Sequence, residues 1–277
     1  MTDYTSMKRV TIFKLAALLA TTLVIAACSS VAFTGRKRLL LFNDSQITSL
    51  SDQSYAELMN SSRLSTDWQS AAIIRQVGIK LTTALTKYLT ATGQTGLLNG
   101  LNWEYSLVQS DEINAFCMPN GKIVFYEGIM PYCNTPDFVA VVMGHEIAHA
   151  IARHGNERMS QQVMLSVAGT VASEYIGYKT SAQNQELFNL AYSIGNEYGV
   201  LLPFSRKHEL EADEIGLILM ALAGYDINQA PVFWRKMQAG STQSVPEFFS
   251  THPNDARRIA SIEKEIPKVK TFVASIR

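Results

Sequence analysis

The sequence predicts a mainly helical α+β domain in which a small antiparallel sheet lies beside one long apolar helix. Three observations carry this. Apolar residues recur at helical spacing, most clearly between Asp67 and Leu89. Two runs, Asn102–Ser110 and Lys122–Tyr126, have the character of strands, with the turn signal Pro119-Asn120-Gly121 before the second. The run His145-Glu146-Ile147-Ala148-His149 has the form H-E-x-x-H, whose chemistry requires a helix.

From the N-terminus, Lys8, Arg9 and Lys14 form a positive region ahead of the apolar run Leu15–Ala27, which fits the core of a signal peptide. It ends Ile25-Ala26-Ala27-Cys28, which resembles a bacterial lipobox. That resemblance implies cleavage before Cys28 and a lipid on Cys28. With Ser29 rather than Asp next, it also implies the periplasmic face of a bacterial outer membrane. Residues 28–44 read as a lipidated N-terminus and linker, with Arg36-Lys37-Arg38 as a solvated tether, and residues 45–277 as one domain.

Within that domain, Ile47, Leu50, Tyr55 and Leu58 suggest a first helix. The stripe Ile73, Ile74, Val77, Leu81, Leu85 and Tyr88 marks a second. A glycine-rich loop leads into the first strand, then the short segment Asn114-Ala115-Phe116, then the Asn-Gly hairpin and Lys122–Tyr126 as its returning strand. Thr135, Pro136 and Asp137 supply an N-cap, a first-turn proline and an acid at the positive end of the helix that carries H-E-x-x-H. Further helices follow at about 156–175, 206–223, 227–239 and 254–265, and the apolar residues of 186–202 read as core.

Twenty-four basic residues balance twenty-four acidic ones, so nothing points to nucleic acid. Cys117 and Cys133 could form a disulfide in an oxidising compartment, and two buried thiols account for them equally well.

On a helix His145 and His149 face the same way and can grip one zinc ion, with Glu146 beside it as general base. Catalytic zinc wants a third protein ligand. The run His208-Glu209-Leu210-Glu211-Ala212-Asp213 offers two candidates. Glu209 pairs with Asp213 at i, i+4, whereas Glu211 points about half a turn away, and spacing alone leaves both open. No P-C-x-x-C run is present, which excludes the zinc deaminases.

At these residues the chain resembles the gluzincin family of HtpX and the CAAX prenyl endopeptidases, whose third-ligand motif is E-x-x-A-D. Glu209–Asp213 matches that motif. Asn114-Ala115-Phe116, Pro119-Asn120-Gly121, Arg153-His154-Gly155 and His252-Pro253 ahead of Arg257-Arg258-Ile259 are similar to the soluble periplasmic and lipoprotein branch. The resemblance implies a zincin-like domain, Glu209 as third ligand and Asp213 as the acid that orients a zinc-bound imidazole. It also implies a zinc-dependent endopeptidase that clears unfolded or misassembled cell-envelope proteins. The alternative is a latent zinc-binding chaperone or assembly factor. His154 reads as a capping or packing residue and His208 as a solvent-facing neighbour of the ligand. His252 is open between oxyanion support, the fourth zinc position and a helix cap. Extended peptide substrates would pair with the backbone of Lys122–Tyr126 or Asp111–Cys117.

Overall fold

The computed structural model describes residues 28–175, 205–240, 248–249, 252 and 256–276. The proposed signal peptide and the apolar run 186–202 lie outside the described residues. Among the described residues the elements are β1 (Cys28–Ser30), β2 (Lys37–Leu39), α1 (Asp44–Ser61), α2 (Trp68–Ala91), β3 (Glu104–Val108), β4 (Ala115–Cys117), β5 (Lys122–Tyr126), α3 (Pro136–Ile151), α4 (His154–Tyr175), α5 (Arg206–Leu222), α6 (Gln229–Gly240) and α7 (Ala256–Ser275). The architecture is α+β and mainly helical. No helix among these residues is long and apolar enough to cross a membrane.

α3 is the central element. Thr135 caps it by accepting a hydrogen bond from the Phe138 N–H, and every side chain from Phe138 to Ile151 is buried. A helix apolar on all sides must be surrounded, and α2, α5 and α6 and the sheet do this. α2 contributes Ile74, Val77, Leu81, Leu85 and Leu89 to the core. α3 and α5 cross at Gly144 and Gly216, where a Cβ on Gly216 would stand 3.0 Å from the His145 nitrogen.

The hairpin of β4 and β5 is antiparallel, with Phe116 opposite Val124. Its turn needs the left-handed backbone of Gly121 (φ +88°), whose N–H donates to the Met118 carbonyl. β3 adds on the other side of β5 in parallel register, so the order is β3-β5-β4 and β5 is central. The sequence expectation had no parallel pair. The chain reaches the far edge at β4 before the hairpin returns it between its predecessors, and strand alternation does not encode that order.

α7 runs to Ser275, ten residues beyond its expected end, through Pro267. Proline removes one backbone donor. The buried stripe Ile259, Ile262, Ile266, Val269 and Val273 holds the helix on course.

Two of the basic trio, Arg36 and Arg38, do not belong to a solvated tether; Lys37 stays exposed. β1 and β2 form a two-stranded ribbon, Val31 and Ala32 are buried, and Arg38 is buried with its guanidinium on the Ala152 carbonyl. A charged side chain folds inward when carboxylates and carbonyls await it, and such partners lie far along the chain, on α3, α4 and α5. Cys117 and Cys133 are free thiols.

Candidate metal centre

Four buried side chains, His145, His149, Glu209 and His252, bring ligand atoms within 4.8 Å of one another. Their placement follows from the helices. His145 and His149 sit one turn apart on α3, and their Nε2 atoms lie 3.0 Å apart. Ser205 caps α5 by accepting from the His208 N–H, so Glu209 falls in the first turn. The close crossing at Gly144 and Gly216 turns that first turn towards the histidines. Glu209 then places its two oxygens 3.4 Å from the Nε2 atoms of His145 and His149. Glu146 lies beside the group, its carboxylate 3.4 Å from His252 Nε2.

Two imidazole nitrogens and one carboxylate form a donor set that fits zinc. The structure supplies a second sign. Oε1 of Glu146 is enclosed yet accepts no hydrogen bond. Buried acceptors without donors are rare in a folded protein.

His252 enters the cluster rather than standing beside it. Its Nδ1 lies 3.2 Å from Glu209 Oε1 and 3.3 Å from His145 Nε2, and its Nε2 lies 3.4 Å from Glu146. Phe248 stacks on the ring at 4.5 Å and is itself fully buried.

Each of the two α3 histidines has its own support. His145 Nδ1 lies 3.0 Å from Asp213 Oδ1. Arg258 grips Asp213 through two nitrogens at 2.7 and 2.8 Å, stands 2.9 Å from Glu209 Oε2, and lies over the Trp234 ring at 4.0 Å. His149 Nδ1 meets His154 Nδ1 at 2.9 Å, and His154 Nε2 meets Glu211 at 2.9 Å. The left-handed backbone of Arg153 (φ +53°) reverses the chain and returns His154 beneath His149.

The electrostatics follow from burial. Burial raises the Glu146 carboxyl to about 7, against the nearby His252. Burial drives the His149 imidazole well down. Burial and Arg258 oppose charge on His145, but Asp213 and Glu209 hold it above its ordinary value. Glu209 is kept well below the carboxylate range because His252 and Arg258 outweigh its desolvation.

Of the residues singled out in sequence, His145, Glu146, His149, Glu209, Asp213 and His252 all converge here. Glu211 does not join them; it turns to His154. His208 is corrected: it is buried, stacks on His154 at 4.4 Å, and pairs with Glu157 at 3.2 Å. Arg258, Trp234 and Arg36 were missed as site residues. Their roles depend on helix crossings that no local pattern announces, although Arg258 stands within the stretch that follows His252-Pro253.

A family model described as "Peptidase family M48" matches residues 81–266. The chain is 38% identical over 175 residues to "Mitochondrial metalloendopeptidase OMA1" of Schizosaccharomyces pombe, covering 62% of this chain and 49% of that protein. It is 30% identical over 240 residues to "Metalloendopeptidase OMA1, mitochondrial" of Homo sapiens, covering 85% and 45%. It is 27% identical over 199 residues to "Beta-barrel assembly-enhancing protease" of Escherichia coli, covering 68% and 40%. The chain thus spans about half the length, or less, of these relatives. The comparisons overturn the location expected from the residues around Cys28, a bacterial outer membrane facing the periplasm. The relatives of higher identity carry mitochondrial names, and a four-residue likeness ending at Cys28 weighs less than likeness across the domain.

Proposed function

The chain belongs to peptidase family M48, a family of zinc metallopeptidases, and from that premise we propose that it is a zinc-dependent endopeptidase acting on extended segments of unfolded or misassembled proteins. The observation that carries this is the buried donor cluster of His145, His149 and Glu209 with the buried carboxyl of Glu146 beside it.

His145, His149 and Glu209 hold the metal. Zinc there supplies an acidified water and an electrophile for a peptide carbonyl. Glu146 accepts the proton of the attacking water and passes it to the leaving amine, and burial, which favours its protonated form, strengthens it as a base. Asp213 holds His145 by its Nδ1, which leaves Nε2 facing the metal.

The substrate lies along β4. β5 is bonded on both sides, which removes Lys122–Tyr126 as a docking edge. β4 pairs with β5 alone among the described strands and packs against α3, which carries Glu146. Backbone pairing grips any extended chain, so the state of the substrate matters more than its sequence. The relative named a beta-barrel assembly-enhancing protease supports a reading in which the clients are proteins that fail to assemble.

One observation favours a second reading, a latent zinc-binding chaperone or assembly factor. His252 stands among the donors and Phe248 seals it there. The two readings separate on Glu146→Gln. The variant should keep its zinc and lose hydrolysis of a denatured protein while the wild type cuts it. Hydrolysis by the variant would remove Glu146 as base, and equal cutting of folded and denatured forms would remove the preference for extended chains. Zinc-bound wild type that only holds unfolded clients, without cutting, would establish the chaperone.

A further inference from the structure

The ribbon of β1 and β2 lies ahead of the family-matched residues 81–266. At its turn, Arg36 reaches two helices at once. Its Nε donates to Glu211 on α5 at 2.7 Å, and its Nη1 and Nη2 donate to the two oxygens of Glu157 on α4 at 2.7 and 2.6 Å. The Thr34 hydroxyl donates to the other Glu211 oxygen. Glu211 in turn meets His154, and His154 meets His149.

We propose that Arg36 is a positioning residue for the metal centre, acting on His149 through Glu211 and His154. This rests on the reading of His145, His149 and Glu209 as zinc ligands.

Hydrogen-bond direction makes the chain of contacts a single unit. His149 Nε2 faces the other donors. A nitrogen open to a metal carries no hydrogen, so His149 Nδ1 carries it and donates to His154 Nδ1. His154 then carries its hydrogen on Nε2 and donates to Glu211 Oε2. Every link points one way, from the ligand to a carboxylate, and that carboxylate is fixed by Arg36 and Thr34. The counterpart at His145 ends the same way, on Asp213 held by Arg258. The two histidines are therefore supported alike, but one support comes from within the matched residues and the other from the N-terminal ribbon.

Glu211 is buried, and Arg36 also keeps it apart in charge from Glu157. Without the guanidinium, two carboxylates share a buried space and the His154 ring loses its anchor. The His149 ring is then free to turn about its side-chain bonds, and metal binding weakens.

The test compares full-length wild type with Arg36→Ala, Arg36→Lys, Thr34→Val and Arg38→Ala. Two readouts are used, zinc affinity by chelator competition and the visible absorption of the cobalt(II)-substituted protein. Arg36→Ala should weaken zinc about tenfold, the lower range for loss of an outer partner of a metal ligand, and alter the cobalt spectrum. Arg36→Lys should recover part of the loss, because one ammonium cannot span both carboxylates. Thr34→Val should show a smaller change of the same kind. Arg38 anchors the same ribbon on the Ala152 carbonyl without touching the chain of contacts; its alanine variant should lower Tm and leave the cobalt spectrum unchanged. If Arg36→Ala does not fold, Thr34→Val and Arg36→Lys decide. Wild-type affinity and spectrum in the Arg36 and Thr34 variants would overturn the proposal alone. A wild type that binds no zinc would overturn the metal-centre reading and the proposal with it.

Discussion

His145 Nδ1 and Asp213 Oδ1 stand 3.0 Å apart, joining the central helix to the second helix of the site at a point that faces away from the donor cluster. Asp213→Ala removes this support and leaves Arg258 facing the cluster without its main partner. Zinc affinity is expected to fall between about 10- and 100-fold. Chelator competition measures it, and unchanged affinity would assign Asp213 to packing.

The position of His252 gives a second expectation. Its ring occupies the side of the cluster nearest Glu146. His252→Ala should raise hydrolysis of a denatured protein roughly fivefold, the effect of losing one contact worth about 1 kcal/mol in the closed arrangement. A fall in kcat instead would point to support of the oxyanion.

Acid should loosen the N-terminal ribbon. Burial works against charge on Glu157, but Arg36 and His208 overcome it and bring its pKa from 4.5 to about 2. The folded value lies below the unfolded one, so the stabilisation is complete above about 4.5 and is lost as pH falls towards 2. Glu157→Gln should therefore lower the urea midpoint at pH 7, by about 1–3 kcal/mol in stability. The gap from wild type should narrow below pH 4.5. A gap independent of pH would show that shape, not charge, holds the ribbon.

The crossing of α3 and α5 predicts a contrast between glycines. A Cβ on Gly216 meets the His145 nitrogen at 3.0 Å, whereas a Cβ on Gly155 meets nothing within 4 Å. Gly216→Ala should cost about 1–3 kcal/mol through overpacking. Gly155→Ala should leave stability equal or raise it by up to about 1 kcal/mol. Thermal unfolding compares them; equal effects would mean that α3 and α5 can separate without cost.

The parts legible in sequence share a property: each lies within one element. The cap at Thr135, the i, i+4 pair His145 and His149, and the pair Glu209 and Asp213 follow from helix geometry alone. The choice between Glu209 and Glu211 needed the family motif, because both lie on the same helix and only the crossing decides which faces α3. His208 and Arg36 were misread for a related reason. Each is polar and looks solvated in its own segment, but His208 is buried and Arg36 partly buried against carboxylates that arrive from elsewhere. The parallel neighbour of β5 and the continuation of α7 past Pro267 are tertiary in the same sense.

The edge strand beside the donor cluster is only three residues long. Long open edges invite another copy of the same chain to pair, and short ones do not. Here Pro119 follows within two residues at one end, and at the other the Ile113 carbonyl already accepts the Phe248 N–H. On the proposed docking along β4, a strand this brief offers few backbone bonds, so a polypeptide would be held weakly and both products released readily. On the proposed function, that brevity gives a protease for unfolded chains a template that does not seed their aggregation.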